Sequence, residues 1–599
     1  MRVAVVVGPG KTGLLRELGE DGTGRGEYVR ADDFAAVVAA YEQSGDVRWV
    51  WAASAAVYPA LLRAGVRVRR CHDVTLTESL LLGRDGPPGE ASSLAAAFAR
   101  LRGAPVPQAL PPAPERAAAG WQEALFESTD PGLPDSRAQL DAVIAVHADQ
   151  LRRVADDDHP ARFGLLVAAE SAGGLAAAEM RAAGMPWRAD VHNALLAELL
   201  GPRPSAGMRP ATLAGLASRI SAAFGGRPVN PDSPAQLLRA LAADGVRVPS
   251  TRSEVLREVD HPAVPLLLEY KELARLHAAH GWTWLDDWVA RGRFRPEYVP
   301  GGVVSGRWAT RGGGALQIPR VLRRAVIADP GWVLVVADAA QLEPRVLAAL
   351  AADHAFAEAA AAGDLYAALA GAFGGDRAKA KVALLSAMYG GAGGEAGQLL
   401  AVLRRRFPLA AQYVEAAARA GEEGRVVRSR LGRTCPPPSA AWRGLTAAPD
   451  DPETGDQKAG RSLRARGRFT RNFVVQASAA DWALVLIAGL RRRLAALSIP
   501  NETAPARPTT DARSAGYPAS PLAGRPLERS ELGRSELGRS ELVFFQHDEV
   551  IVHCPEAAAE SVVAAIGEAA QEAGRLVFGD TPVRFPVSTA VVACYADAK

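Results

Sequence analysis

Two stretches constrain the fold more than any others. VLVVAD, Val333–Asp338, is a run of aliphatic residues that stops at an aspartate, and FFQHDEVIVHC, residues 544–554, is an apolar run broken by Gln546-His547-Asp548-Glu549. The first reads as a buried strand that delivers Asp338 at a sheet edge. The second reads as two strands meeting at a tight turn. Adjacent carboxylates at such a tip repel one another unless something positive answers them. Alone, an HDE tripeptide is most simply a solvated turn. If Asp338 faces Asp548, the pair gains a purpose, because two carboxylates plus substrate phosphates commonly hold Mg²⁺. Paired metals then stabilise the attacking and leaving oxygens of phosphoryl transfer.

A helix is predicted to begin near Gln341-Leu342-Glu343-Pro344, where proline is tolerated because first-turn N–H groups lack an intrahelical partner. Further on lies DRAKAKVALLSAMYGGAGG, residues 376–394. Arg377, Lys381 and Leu385 are four residues apart, so on a helix they drift only about 40° per step and share a face. Tyr389 continues the line, and Gly390-Gly391 ends the helix. Arg and Lys one turn apart suit a triphosphate, although such a face is often only solvated surface. Only six of the 69 basic residues are lysine, which singles out Lys381.

The 599 residues exceed one compact core and imply two or more domains. A net charge of +3 is too small to argue for or against nucleic acid, so only a local basic surface could make that case. Cys71, Cys435, Cys554 and Cys594 show no paired spacing and read as free thiols in a reducing compartment. MRVAVVV is too short for a signal peptide, and no uncharged apolar run of spanning length is seen. A cytoplasmic, nucleoid-associated protein with no membrane partner is expected. Gly8-Pro9-Gly10-Lys11-Thr12 imitates a phosphate-binding loop, but the first glycine of that pattern falls on Val5. It is read as a strand-end turn before a helix-forming GLLRELGE.

Residues 1 to about 110 alternate short strands with Ala-rich helical stretches such as VRWVWAAS and VYPALLRAG, an α/β unit. Pro-rich segments at 104–118 and 130–135 read as linkers. From 165 to 300 the pattern is helical, including LLLEYKELARLHAAHGW, and a second helical block spans 346–420. Residues 501–542, with RSELG repeated from Arg529, match neither helical nor coiled-coil period and read as a largely disordered insertion.

The order of these segments resembles the family A DNA polymerases, the bacterial DNA polymerase I group. DAAQLEPR (Asp338–Arg345) is similar to that family's DYSQIELR, RAKAKVALLSAMYG (Arg377–Gly390) to RxxxKxxxFGxxYG, and QHDE (Gln546–Glu549) to VHDE. SGRWATRGGGALQIP from Ser305 is similar to TGRLSSxxPNLQNIP. RFTRNFVVQASAAD from Arg468 is similar to RxxxNxxxQGTAAD. NPDSPAQLLRAL, LEYKELARL and SRLGR add weaker matches, and the resemblance covers roughly 165 to the C-terminus.

The resemblance implies an α/β multidomain chain: a degenerate ribonuclease H-like 3′-5′ exonuclease unit at 1–160, then a right-hand polymerase at 165–599. Its thumb would be about 195–300, its palm about 301–350 and 470–599, and its fingers about 351–469. Asp338 and Asp548 would be catalytic and, with the Ala339 carbonyl, hold two Mg²⁺ ions, with Mn²⁺ a substitute. Arg377, Lys381, Leu385, Tyr389, Gln341 and Glu343 would form the nucleotide site, Glu343 selecting deoxyribose. Arg307, Gln317, Arg468, Asn472, Gln476 and His547 would contact primer or template DNA, mostly through backbone and minor groove. The implied partners are primer-template DNA and deoxynucleoside triphosphates, bound by a monomer in replication or repair.

Among the departures from the family pattern, Ala339, Leu385 and Ser386 bear on the nucleotide and metal sites. They motivate an alternative, a primer-template binding protein with weakened catalysis. The retained Asp338, Asp548, Arg377 and Lys381 count against it, and Glu343 counts against an RNA polymerase. No 5′-nuclease domain is expected, since the chain opens on the small α/β unit. The family's exonuclease carboxylates are also missing. The opening strand VAVVV has no DxE pair, the place of the family's Asp in the second segment falls near Val57, and only Asp149 matches, with Ala145 replacing a Tyr. Proofreading is therefore expected to be absent, the alternative being a bifunctional 3′-5′ exonuclease/polymerase.

Overall fold

Val3, Ala4 and Val5 are fully covered because strand β1 (Arg2–Val7) runs through the middle of a five-stranded sheet. With β2 (Gly13–Leu18), β3 (Gly24–Ala31), β4 (Arg48–Trp51) and β5 (Arg70–Asp73) the order is β3-β2-β1-β4-β5. The first three strands are antiparallel, while β4 and β5 run parallel to β1 and to each other. This computed structural model describes residues 1–86, 89–107, 136–205, 207–361, 363–390, 395–447, 452–497 and 538–598.

One sequence expectation fails here. GLLRELGE forms strand β2, not a helix, because Leu15 pairs with Val5 and Leu18 with Arg2 along β1. Cross-strand packing overrides the intrinsic preference. Gly8–Thr12 is the connecting turn, closed by the Gly8 N–H donating to the Thr12 carbonyl at 2.9 Å. Without a following helix it has no helix N-terminus to offer a phosphate.

Helices α1 (Ser54–Arg63), α2 (Val74–Asp85) and α3 (Ser136–Ala155) pack around this sheet. Helix α4 (Pro160–Ala183) belongs to two cores at once. Leu175 and Ala178 join the core of the N-terminal sheet, whereas Phe163, Leu166 and Met180 join the large core of the remaining chain. A helical region follows, including α5 (Ala263–His280), where Val264, Leu267, Tyr270 and Leu276 are buried.

The second sheet is four-stranded and antiparallel. It contains β6 (Trp332–Ala339), β7 (Glu541–Gln546), β8 (Glu549–Pro555) and β9 (Val587–Val592) in the order β7-β8-β6-β9. Strand β6 is thus an interior strand, not a sheet edge, and Asp338 stands near its C-terminal end. Three helices used below are α6 (Leu342–Ala351), α7 (Arg377–Tyr389) and α8 (Pro408–Glu422). The long helix α9 (Pro452–Ala496) packs on α4, α8 and the helix Ala559–Phe578.

Helices α4 and α9 are long and apolar enough to cross a membrane, although no such run was expected. Their most apolar windows are 78% and 89% buried within the protein, which makes them core helices. The predicted insertion ends earlier than 542: Glu541 and Leu542 already pair with His553 and Val552 in the β7–β8 ladder. Residues 498–537 and the Pro-rich 108–135 lie outside the described residues. All four cysteines are free thiols.

Candidate active site

The β6–β8 register sets Asp338 opposite Glu549, so Asp548 in the turn before β8 lies beside the end of β6. The link is direct: the Ala339 N–H donates to the Asp548 carbonyl at 3.0 Å. Asp338 is half-buried, Ala339 buried, and His547 and Asp548 exposed. The turn itself is tight. The Asp548 N–H donates to the Gln546 carbonyl at 2.7 Å across His547, whose φ is 57°. A three-residue turn of this hand is uncommon and strained, and it persists only where its surroundings enforce it.

Those surroundings are identifiable. Gln546 Nε2 donates to the Leu316 carbonyl at 2.7 Å, which ties the hairpin to the short turn Ala315–Gln317 bearing the exposed Gln317. Phe545 packs edge-on against Trp308 at 4.9 Å. Glu549 is buried and accepts the Tyr595 hydroxyl at 2.7 Å. Burial, and then this bond, push the Tyr595 hydroxyl far above its ordinary range, so it stays a donor.

A second strained residue sits on the other side of Asp338. Gln341 has φ 56° at the corner between β6 and α6. Both ends of its side-chain amide are engaged: Nε2 donates to Asp364 at 2.7 Å, and Oε1 accepts the Leu365 N–H at 2.8 Å. Arg345, with no exposed surface, fastens the same corner by donating to the carbonyls of Ala340 (3.0 Å), Gly363 (2.6 Å) and Arg584 (3.0 Å). Strain on both sides of two carboxylates points to a functional site.

Helix α7 is capped by Asp376, whose carboxylate accepts from the Ala378 and Lys379 N–H groups, and ends at Gly390 with φ 78°. A Cβ at Gly390 would lie 3.0 Å from Arg468, so glycine there lets the helix end meet α9. Arg377 and Lys381 are exposed, and Leu385 is half-buried against the core. Arg377 Nε meets Asp364 at 2.8 Å, a contact the sequence did not reveal. Burial would raise Asp364, but its bonds to Gln341 and Arg377 prevail and hold it at about 2.

Four residues selected from separate motifs converge. Glu343 accepts Arg307 on one oxygen and the Tyr389 hydroxyl on the other, and Gln476 lies beside the same hydroxyl. Burial and Glu343 push Tyr389 up to about 12. Asn472 lies one turn before Gln476 on α9, and its side-chain oxygen is buried without a hydrogen-bond partner among the described residues. Against Gly306, the buried Arg433 guanidinium bridges Asp481 (3.0 Å) and Glu170 (2.7 Å). A Cβ at Gly306 would strike it at 2.3 Å. This triad joins three distant segments, so no local pattern could have revealed it.

The donor set suits a hard divalent cation. Among the described residues no group of three or more His, Cys, Asp or Glu forms a ready metal cage. Two carboxylates on adjacent strand ends, one exposed, match an ion that keeps its waters and shares substrate phosphates.

Known proteins show related features. The model for DNA polymerase family A matches residues 209–593, more than half of the chain. The thermostable DNA polymerase I of Thermus thermophilus is 36% identical over 112 residues, 17% of this chain and 13% of the relative. The DNA polymerase I of Chloroflexus aurantiacus is 29% identical over 218 residues, 31% of this chain and 23% of the relative. The chain therefore aligns with less than a quarter of the length of these two curated relatives. Among solved structures, the POL domain of Pol1 from M. smegmatis, in complex with DNA primer-template and dNTP, has a similar fold. Its TM-score is 0.66 at 18% identity, covering 100% of this chain and 96% of that one.

Proposed function

The chain belongs to DNA polymerase family A, and from that premise we propose that it extends a DNA primer along a template using deoxynucleoside triphosphates. The observation that carries the reading is the backbone bond from Ala339 to Asp548, which holds Asp338 and Asp548 at one end of adjacent strands. The complex of the M. smegmatis neighbour with primer-template and dNTP supports the choice of partners.

In this reading Asp338, Asp548 and the Ala339 carbonyl would hold two Mg²⁺ ions, or Mn²⁺, whose chemistry when bound would be to activate the primer hydroxyl and offset charge on the leaving pyrophosphate. Arg377 and Lys381 on one face of α7 take the triphosphate. Glu343, fixed by Arg307 and Tyr389, limits the space at the sugar 2′ position. Leu385 lines the pocket for the incoming sugar and base, Tyr389 stacks near the templating base, and Gln341 shapes the corner between β6 and α6. Gln317, Arg468, Asn472, Gln476 and His547, with Arg307, address primer and template through groups common to all sequences.

The domain plan follows the same reading, with thumb, palm and fingers within 165–599 and a degenerate exonuclease-like unit at 1–160. The mixed five-stranded sheet flanked by helices supports that assignment of the N-terminal unit. A monomer in the nucleoid, serving replication or repair, fits these partners.

Primer extension with deoxynucleotides, with ribonucleotides and without nucleotide, in Mg²⁺ and in Mn²⁺, tests the proposal. Template-directed extension with deoxynucleotides is expected. Tight primer-template binding without extension would instead favour the weakened binding protein suggested by Ala339, Leu385 and Ser386.

A further inference from the structure

Strand β7 is an edge strand, and its pairing with β8 already shifts register between Leu542 and Phe544. Side chains alternate along a strand, so a one-residue slip would reverse its faces and move the turn that carries Asp548. Something must fix β7 at its start.

The first residue of β7, Glu541, bonds Arg67 at 2.7 Å. Arg67 lies in the loop between α1 and β5 of the N-terminal unit, 474 positions away in sequence. It also faces Glu179 of α4 at 3.8 Å. Glu179 accepts Arg491 of α9 at 2.6 and 2.9 Å and the Tyr58 hydroxyl of α1. Arg491 closes the network by donating to the Arg69 carbonyl at 2.8 Å, in the same loop as Arg67. Two arginines and two glutamates are thus interleaved, with Glu179 and Arg491 each only 11% exposed. Arg295 is near enough to act on Glu541, and Arg539 on both Glu541 and Glu179. Removing one cation from this group leaves a carboxylate poorly matched in a partly desolvated place.

We propose that Arg67 is a positioning residue: through Glu541 it lets the N-terminal unit hold β7 in register, and so sets the Asp548 turn. The effect on kcat rests on the polymerase reading, whereas the effect on strand register does not.

The test compares full-length Arg67→Gln, Arg67→Lys and Glu541→Gln with the unaltered chain. Amide hydrogen exchange of β7 and β8 reports register, and single-nucleotide incorporation reports function. Arg67→Gln and Glu541→Gln should each raise exchange in β7–β8 by about tenfold and lower kcat by about tenfold. Exchange in β1–β5 and the KM for deoxynucleotide should stay within about twofold, and Arg67→Lys should restore most of both changes. If Arg67→Gln does not fold, Glu541→Gln makes the same measurement from the other end of the bond. Unchanged β7–β8 exchange in Glu541→Gln overturns the proposal. So does a uniform rise of exchange across both sheets, which marks general destabilisation. An unaltered chain that never extends a primer, with faster β7–β8 exchange in the variants, defeats the polymerase reading and leaves the register proposal standing.

Discussion

Arg377 Nε lies 2.8 Å from Asp364, so the guanidinium proposed to take a triphosphate already has a carboxylate partner. Asp364 is held at about 2, with burial opposing and the Gln341 and Arg377 bonds prevailing. Its lowered value makes the pair persist at every pH above that range, and it weakens only as pH falls through about 2. If Arg377 takes the triphosphate as proposed, a nucleotide must compete with Asp364. An exposed pair of this kind contributes about 0.2–1 kcal/mol. Asp364→Asn, which keeps the cap on the following helix, should lower the KM for deoxynucleotide by up to about fivefold at unchanged kcat. A raised KM in steady-state kinetics would show that Asp364 orients Arg377 productively instead.

Asp338→Ala and Asp548→Ala should each abolish extension, a loss of at least about a thousandfold, while primer-template Kd stays within about twofold. In the two-metal reading, metal coordination needs these carboxylates and DNA affinity does not. Gel-shift titration and extension on the same preparations separate the two effects. Robust synthesis by Asp548→Ala would end the two-metal reading.

Glu343 is pinned by Tyr389 on one side and Arg307 on the other. Tyr389→Phe removes one restraint, so ribonucleotide insertion should rise several-fold, and Glu343→Ala should raise it further. Because Tyr389 is pushed up to about 12, discrimination in the unaltered chain should be flat between pH 7 and 9. Competition between matched deoxy- and ribonucleotides measures this. Equal discrimination in all three proteins would mean that another group fills the 2′ space.

The N-terminal sheet unit should be sensitive to acid. His72 and His147 meet edge to face at 4.4 Å between β5 and α3. Burial lowers both, His72 to about 4 and His147 to about 2, with Gln150 bonded to His72 and Arg2 and Arg48 adding like charge. The unfolded chain binds these protons near the ordinary histidine value and the folded chain does not. Stability is then complete above about pH 6.5 and is lost as pH falls toward 4. For His72 alone the loss approaches about 3 kcal/mol. His147→Phe, which also removes two ring nitrogens without hydrogen-bond partners among the described residues, should raise Tm at pH 5 more than at pH 8. An equal change at both pH values would refute the linkage.

Mismatched primer should be degraded no faster with Mg²⁺ than without it. Strand β1 carries no acidic residue, and Asp149 is bonded to Arg152 at 2.6 Å. One carboxylate cannot supply the oxygen ligands of a two-metal site. Mg²⁺-dependent 3′-to-5′ digestion that disappears when residues 1–160 are deleted would show otherwise.

The two aspartates, the basic helix and its glycine stop were legible in the sequence because each depends on local order. A strand ending in Asp338, an Arg–Lys spacing of four and a hairpin around His547-Asp548 follow from backbone period and turn chemistry. What those residues touch was not legible. Asp364 on Arg377, the Arg433 bridge between Glu170 and Asp481, and Arg67 on Glu541 join positions 13, 48, 263 and 474 residues apart. The same holds for β2, where a helix-favouring stretch pairs with β1. Hydrophobic period and residue type act over a few neighbours, so the sequence by itself determined the elements and the chemical groups that they carry. Charge pairing and strand register act through space, so only the tertiary structure decided which group faces which.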